Sequence, residues 1–216
     1  MIKAVIFDLD GTLLDTRQDL ASAMNLTLKA LNKPELSKED VISYVGHGIR
    51  NLVETCIKPN NADEFEEGYK IFQSKYAEEY MKTTIPYNGM KELVKDLNTI
   101  NIKIGVNSNK DDTYTKNLIK KHFSDIDLEY VVGKREGINI KPSIDGVEYI
   151  LKKMDVKKEE VIYVGDSSVD IETANNANID SLSCAWGFKG RKELEKYSET
   201  KIVEEPKEIL EYVKEK

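Results

Sequence analysis

Two aspartates two positions apart, Asp8 and Asp10, follow the apolar run AVIF at 4 to 7, with Gly11 and Thr12 directly after them. Asp and Gly are common in surface turns, so a chemical reading depends on what else the chain supplies. Three further stretches have similar content. Asn107, Ser108, Asn109 and Lys110 follow IKIGV, Lys141 stands in INIKPSIDG, and Asp166 and Asp170 belong to GDSSVD after VIYVG. Crowded carboxylates repel and raise one another's pKa unless a cation neutralises them. The candidate ligands are oxygens, and two histidines and two cysteines give no cluster, so the expected cation is Mg²⁺. Mg²⁺ beside an ionised aspartate, a serine hydroxyl and a lysine suits phosphoryl chemistry. Metal and lysine balance the charge of the phosphoryl oxygens, serine and backbone amides orient them, and one carboxylate attacks in line. A second carboxylate two positions away can protonate the leaving oxygen and then activate water.

Three rival readings use similar pieces. A calcium loop places its glycine sixth, whereas Gly11 is fourth from Asp8. A phosphate-receiving signalling domain would be about half as long, with its accepting aspartate on a later strand. A serine nucleophile at Ser167 lacks a partner, since neither His47 nor His122 lies in a triad signature.

These residues need elements to position them. Short apolar runs at 4–7, 102–108, 130–133, 161–165 and 181–186 are continuous rather than alternating, with helical segments between them. That pattern predicts a doubly wound α/β core with a parallel sheet covered on both faces, and KIV at 201 to 203 predicts a short edge strand before Pro206 opens the last helix. Met90, Leu93, Val94 and Leu97 make one helical stripe, and Ile144, Val147, Ile150, Leu151 and Met154 another. Between 16 and 83 no strand is convincing. That stretch predicts three or more helices, with Ser37 and Asp40, and Asn61 and Glu64, spaced as capping boxes. Phe65, Tyr69, Phe72, Tyr76 and Tyr80 share one face, as core residues of a helical bundle would. The expected domains are therefore a core of 1–15 and 84–216 and an all-helical cap of 16–83. Ligands of an open parallel sheet sit beyond the carboxyl ends of its strands, where Asp8 and Asp10 fall.

The 216 residues carry a net charge of -7, are 40% apolar and 33% charged, and fit a globular protein with room for an enzyme's pocket. The charge gives no support to a nucleic-acid-binding face. The expected partner is a small phosphorylated metabolite, with no nucleic acid and no membrane, and the protein is a monomer or homodimer. The apolar run of MIKAVIFDLD is too short for a signal peptide or a span, so a cytoplasmic location is expected.

Taken together, the four blocks resemble the motifs of the haloacid dehalogenase-like (HAD) hydrolase superfamily, in the branch whose helical cap follows the first motif. DLDGTLLDT at 8 to 16 resembles its first motif, NSNK at 107 to 110 its second, Lys141 and Pro142 its third and GDSSVD its fourth. The resemblance implies a Rossmann-like core, Asp8 as nucleophile, Asp10 as general acid/base, Ser108 as phosphate-binding hydroxyl, and Asp166 and Asp170 at the metal, with Asp8 and the Asp10 carbonyl completing its ligands. Gly11, Thr12 and Asn109, with Gly46, His47 and Arg50 of the cap, are the expected substrate contacts. DGTLLDT, VGHG, PYNG and WGF are most similar to the phosphoglycolate phosphatase group, while NANI at 176 to 179 and the single proline of KPSIDG depart from it in loops. The resemblance implies Mg²⁺-dependent hydrolysis of a phosphomonoester such as 2-phosphoglycolate. A sugar-phosphate mutase, a pyrophosphatase and a non-catalytic phosphate-binding protein remain as alternatives.

Overall fold

The computed structural model describes residues 1–216. In chain order its elements are β1 (Ala4–Phe7), β2 (Leu14–Asp15), α1 (Arg17–Ala30), α2 (Lys38–Ser43), α3 (Ile49–Ile57), α4 (Ala62–Glu79), β3 (Ile85–Pro86), α5 (Met90–Thr99) and β4 (Lys103–Asp111). They continue as α6 (Asp112–His122), β5 (Val131–Lys134), α7 (Asp145–Met154), β6 (Val161–Gly165), α8 (Ser168–Ala177), β7 (Asp180–Cys184), α9 (Gly190–Leu194), β8 (Thr200–Val203) and α10 (Pro206–Glu215). The chain divides into one compact unit of 1–15 and 86–216 and a second of 16–85.

The larger unit is built on a six-stranded parallel sheet in the order β5-β4-β1-β6-β7-β8. Its central strand β1 is buried along its whole length, which explains a run of four apolar residues with no polar alternation. Ala4 and Ile6 of β1 pack with Val132, Val161 and Tyr163 from the sheet and with Val147, Ile150 and Met154 of α7 and Ala174 of α8. Register decides what meets at the top of the sheet. Phe7 is level with Val106 of β4 and with Val164 of β6, so the residues that follow these three positions emerge side by side. Beyond Asn107 the pairing of β4 with β5 shifts before resuming at Asp111, and Ser108, Asn109 and Lys110 occupy this irregular segment. The strand expected at 181–186 ends at Cys184; Ala185 and Trp186 have left the sheet, and the Trp186 indole donates to the carbonyl of Thr12 at 3.1 Å.

The smaller unit is helical. Ser37 caps α2 by accepting from Asp40 N, and Asn61 caps α4 by accepting from Glu64 N. Phe72 and Tyr76 of the aromatic stripe are buried, with their rings stacked 5.6 Å apart. Asp19 of α1 is buried, and its carboxylate accepts from the backbone and hydroxyl groups of Thr83 and Thr84 at 2.6–3.2 Å. The two ends of this unit are tied together by that one side chain. No helix of the protein is long and apolar enough to cross a membrane.

Candidate active site

The chain turns sharply after β1. Asp8 N donates to Val164 O at 2.8 Å, and the amides of Thr12, Leu13 and Leu14 all turn back to the carbonyl of Leu9. Gly11 is the pivot, with φ at +84°, and a Cβ there would lie 2.3 Å from Asp166 Oδ2. Conformation and space both demand glycine. Gly187 is constrained by space alone, since a Cβ there would come within 2.2 Å of Asp166 Cβ. The backbone therefore closes on Asp166 from two sides, and Phe188 N donates to Asp166 Oδ2 at 2.6 Å.

Asp170 lies in the first turn of α8. One of its carboxylate oxygens accepts from Asp166 N, Ser167 N and Ser167 Oγ at 2.6–3.2 Å, and the other accepts from Lys141 Nζ at 2.6 Å. Lys141 Nζ also pairs with Asp8 Oδ1 at 2.8 Å. Asp8, Asp166 and Asp170 thus offer carboxylate oxygens within 4.8 Å of one another, all buried.

Burial pushes the Asp8 carboxyl up to about 7; repulsion from Asp170 and Asp10 adds to this and the Lys141 ammonium opposes it. Burial, joined by Asp170 and Asp8, also holds Asp166 well above the usual carboxylate range. Burial works against the charge on Lys141, yet Asp170 and Asp8 more than offset it and hold the ammonium well above its ordinary value. Lys110 Nζ meets both carboxylate oxygens of Asp10 at 2.7 and 2.8 Å, so that pair balances itself. Three buried carboxylates then face one lysine. An all-oxygen donor set with an excess of negative charge fits a hard divalent cation, held by Asp8, Asp166 and Asp170.

The other expected site residues are distributed as follows. Ser108 is buried in the irregular segment of β4, and its Oγ accepts from Lys110 N at 3.2 Å. The side-chain amide of Asn109 is hydrogen-bonded to the backbone of Lys141 through both of its polar atoms. Thr12 is fully buried and its hydroxyl has no hydrogen-bond partner. In the helical unit, Gly46 and exposed His47 lie between α2 and α3. Arg50 is already engaged there: it pairs with Glu66 at 2.5 Å, and its guanidinium lies 4.6 Å from the Phe65 ring and 4.8 Å from that of Tyr69.

Lys110, Phe188 and Tyr163 had no assigned role from sequence. Tyr163, on β6, hydrogen-bonds Asn107 at 3.3–3.4 Å, and its ring lies 6.0 Å from Lys141 Nζ. The lysine of NSNK and the WGF block were the available signals, but neither names its partner.

The family model for haloacid dehalogenase-like hydrolases matches residues 5–184, a span that holds Asp8, Asp10, Ser108, Lys141, Asp166 and Asp170. The chain belongs to this family. Within it, the sequence is 30% identical over 217 residues to pyrophosphatase PpaX of Listeria monocytogenes, covering 99% of this chain and 97% of that protein. It is 31% identical over 188 residues to phosphoglycolate phosphatase of Aquifex aeolicus, covering 87% and 86% of the two chains. A crystal structure from Lactobacillus delbrueckii subsp. bulgaricus, provisionally named a phosphoglycolate phosphatase, superposes with a TM-score of 0.91 at 29% identity, covering 98% of both chains. The HAD-like core, the inserted helical cap and the phosphoglycolate phosphatase-like grouping are therefore established for this chain, and its buried acidic cluster suits a divalent cation.

Proposed function

We propose that the protein is a Mg²⁺-dependent phosphomonoester hydrolase that works through an aspartyl phosphate on Asp8. The supporting observation is the placement of Asp8 Oδ1 against Lys141 Nζ at 2.8 Å beside Asp166 and Asp170. A carboxylate that attacks a phosphoryl group needs positive charge where the equatorial oxygens will lie, and Lys141 supplies it from a buried position. Bound Mg²⁺ would balance the remaining carboxylate charge and the charge of the phosphoryl group. Ser108 binds a phosphoryl oxygen. Asp10 enters the first step in its protonated form, one oxygen released from Lys110, gives that proton to the leaving oxygen, and as the carboxylate then takes a proton from the water that attacks the acyl phosphate. Aspartate is regenerated, and phosphate leaves.

The named substrate is 2-phosphoglycolate, on the strength of the likeness to phosphoglycolate phosphatases. The match to pyrophosphatase PpaX over 99% of the chain favours pyrophosphate as a second reading. In the helical unit we assign substrate selection to Gly46, His47 and Arg50, a role that Arg50→Ala and His47→Ala would remove from consideration if both left kcat/KM unchanged. The deciding experiment is a kcat/KM panel with Mg²⁺ covering 2-phosphoglycolate, pyrophosphate, nucleoside monophosphates, hexose phosphates and p-nitrophenyl phosphate. Phosphate release should be abolished by EDTA and restored by Mg²⁺. No release from any ester would favour a binding protein, and glucose 6-phosphate formed from β-glucose 1-phosphate with its 1,6-bisphosphate faster than free phosphate would favour a mutase. If another member exceeds 2-phosphoglycolate by more than about tenfold, roughly 1.4 kcal/mol in transition-state binding, the named substrate is wrong and the hydrolytic chemistry stands.

A further inference from the structure

Lys141 must hold its ammonium against two carboxylates, yet no regular element carries it. It lies between β5 and α7, outside every strand and helix. In a strand, ladder hydrogen bonds would fix such a residue. Here the N–H and C=O of Lys141 both go to one side chain: Asn109 Oδ1 accepts from Lys141 N at 2.7 Å, and Asn109 Nδ2 donates to Lys141 O at 3.2 Å. A primary amide presents an acceptor and a donor in one plane, matching the donor and acceptor of a peptide backbone. Asparagine is short enough to do so while its own backbone stays in β4. Both residues are buried, so an unpaired peptide group at Lys141 would find no water to replace the amide. Asn109 also follows Ser108 directly, and the clamp therefore couples the strand carrying the phosphate-binding hydroxyl to the loop carrying the ammonium.

We propose that Asn109 is the positioning residue for Lys141, and that its side chain acts on the reaction through that lysine rather than by touching substrate. Each polar atom of the side chain makes a hydrogen bond to the Lys141 backbone, so the amide is held in the plane of that peptide and any movement of it toward a ligand would release the loop. The catalytic consequence rests on the phosphatase reading. The placement of Lys141 does not.

The test is a double-mutant cycle together with a crystal structure. Asn109→Ala is expected to lower kcat/KM for p-nitrophenyl phosphate by roughly tenfold to a hundredfold, the effect of displacing a reacting group by about an ångström. In a Lys141→Ala background the same change should add less than about twofold, because residues that act through one group are not additive. Equal losses in the two backgrounds, the behaviour of an independent substrate contact, would overturn the proposal, as would an Asn109→Ala enzyme indistinguishable from wild type. A crystal structure of Asn109→Ala reads the placement without turnover. Lys141 Nζ should leave Asp8 and Asp170, and finding both ion pairs intact would refute the positioning role. If the alanine variant does not fold, Asn109→Asp keeps the acceptor for Lys141 N and loses the donor to Lys141 O. It should show an intermediate loss and a smaller displacement of Lys141 Nζ in the same direction. Wild-type protein that releases no phosphate from any ester would sink the phosphatase reading, and the crystal structure would still decide the role of Asn109.

Discussion

Asp8 is the residue on which opposing charges converge. Its carboxyl is raised by burial and by its acidic neighbours, and Lys141 is the ammonium paired with it. Replacing Asp8 with Asn removes the attacking oxygen anion while keeping the shape, and turnover is expected to fall by about four orders of magnitude or more. Asp10→Asn should slow leaving-group protonation and water activation together, so steady-state assays with alkyl phosphates should show a loss in both kcat and kcat/KM. Lys141→Ala should lower kcat by roughly a hundredfold to a thousandfold, the scale for removing a preorganised charge from a dry site. Asp8 and Asp10 were legible in sequence because one falls directly after an apolar run and the other beside a glycine, and Lys141 through the resemblance of its Lys-Pro pair to a family motif. Their partners were not. Lys110 lies 100 positions from Asp10, and Trp186 lies 174 from Thr12, and only the folded sheet brings them into contact.

At the scale of elements, helix α1 and the 83–84 segment depend on Asp19. Its carboxylate accepts two backbone and two hydroxyl donors, and removing it strands those donors in a buried setting. Asp19→Ala is expected to destabilise the helical unit by about 3 kcal/mol. Trp186, the sole tryptophan, belongs to the sheet unit, so urea unfolding followed by far-UV circular dichroism should begin at lower denaturant than unfolding followed by tryptophan fluorescence. Coincident transitions at the wild-type midpoint would contradict the role of Asp19. The strands were readable from sequence because buried parallel strands leave continuous apolar runs, as AVIF and VIYVG do. The shift in β4 beyond Asn107 left no such mark. Helix α3 carries no capping-box spacing of its own, for Ile49–Ile57 follows immediately on the glycines of VGHG and Gly48 offers no capping side chain.

Across the molecule, the acidic site links stability to both pH and metal. The folded state holds the Asp8 proton more tightly than an ordinary aspartate, with its pKa raised from 3.8 to about 7. The stability that this group contributes is therefore fully present below the ordinary value and is lost as pH rises through about 7. Metal-free protein should become less stable over that window, and Mg²⁺, which takes the place of the proton, should raise Tm more at pH 8 than at pH 5. A saturating hundredfold excess over Kd should raise Tm by roughly 5–10 °C at the higher pH. Equal shifts at both pH values, measured by differential scanning calorimetry, would contradict a cation site built on Asp8. The most direct test of the hydrolytic account is to quench the enzyme in acid during turnover of a phosphate ester with Mg²⁺ and locate the bound phosphoryl group by peptide mass spectrometry. The account predicts phosphate on Asp8, more of it in Asp10→Asn where hydrolysis of the acyl phosphate is slowed, and none in Asp8→Asn. Phosphate on any other residue, or wild-type turnover by Asp8→Asn, would contradict it.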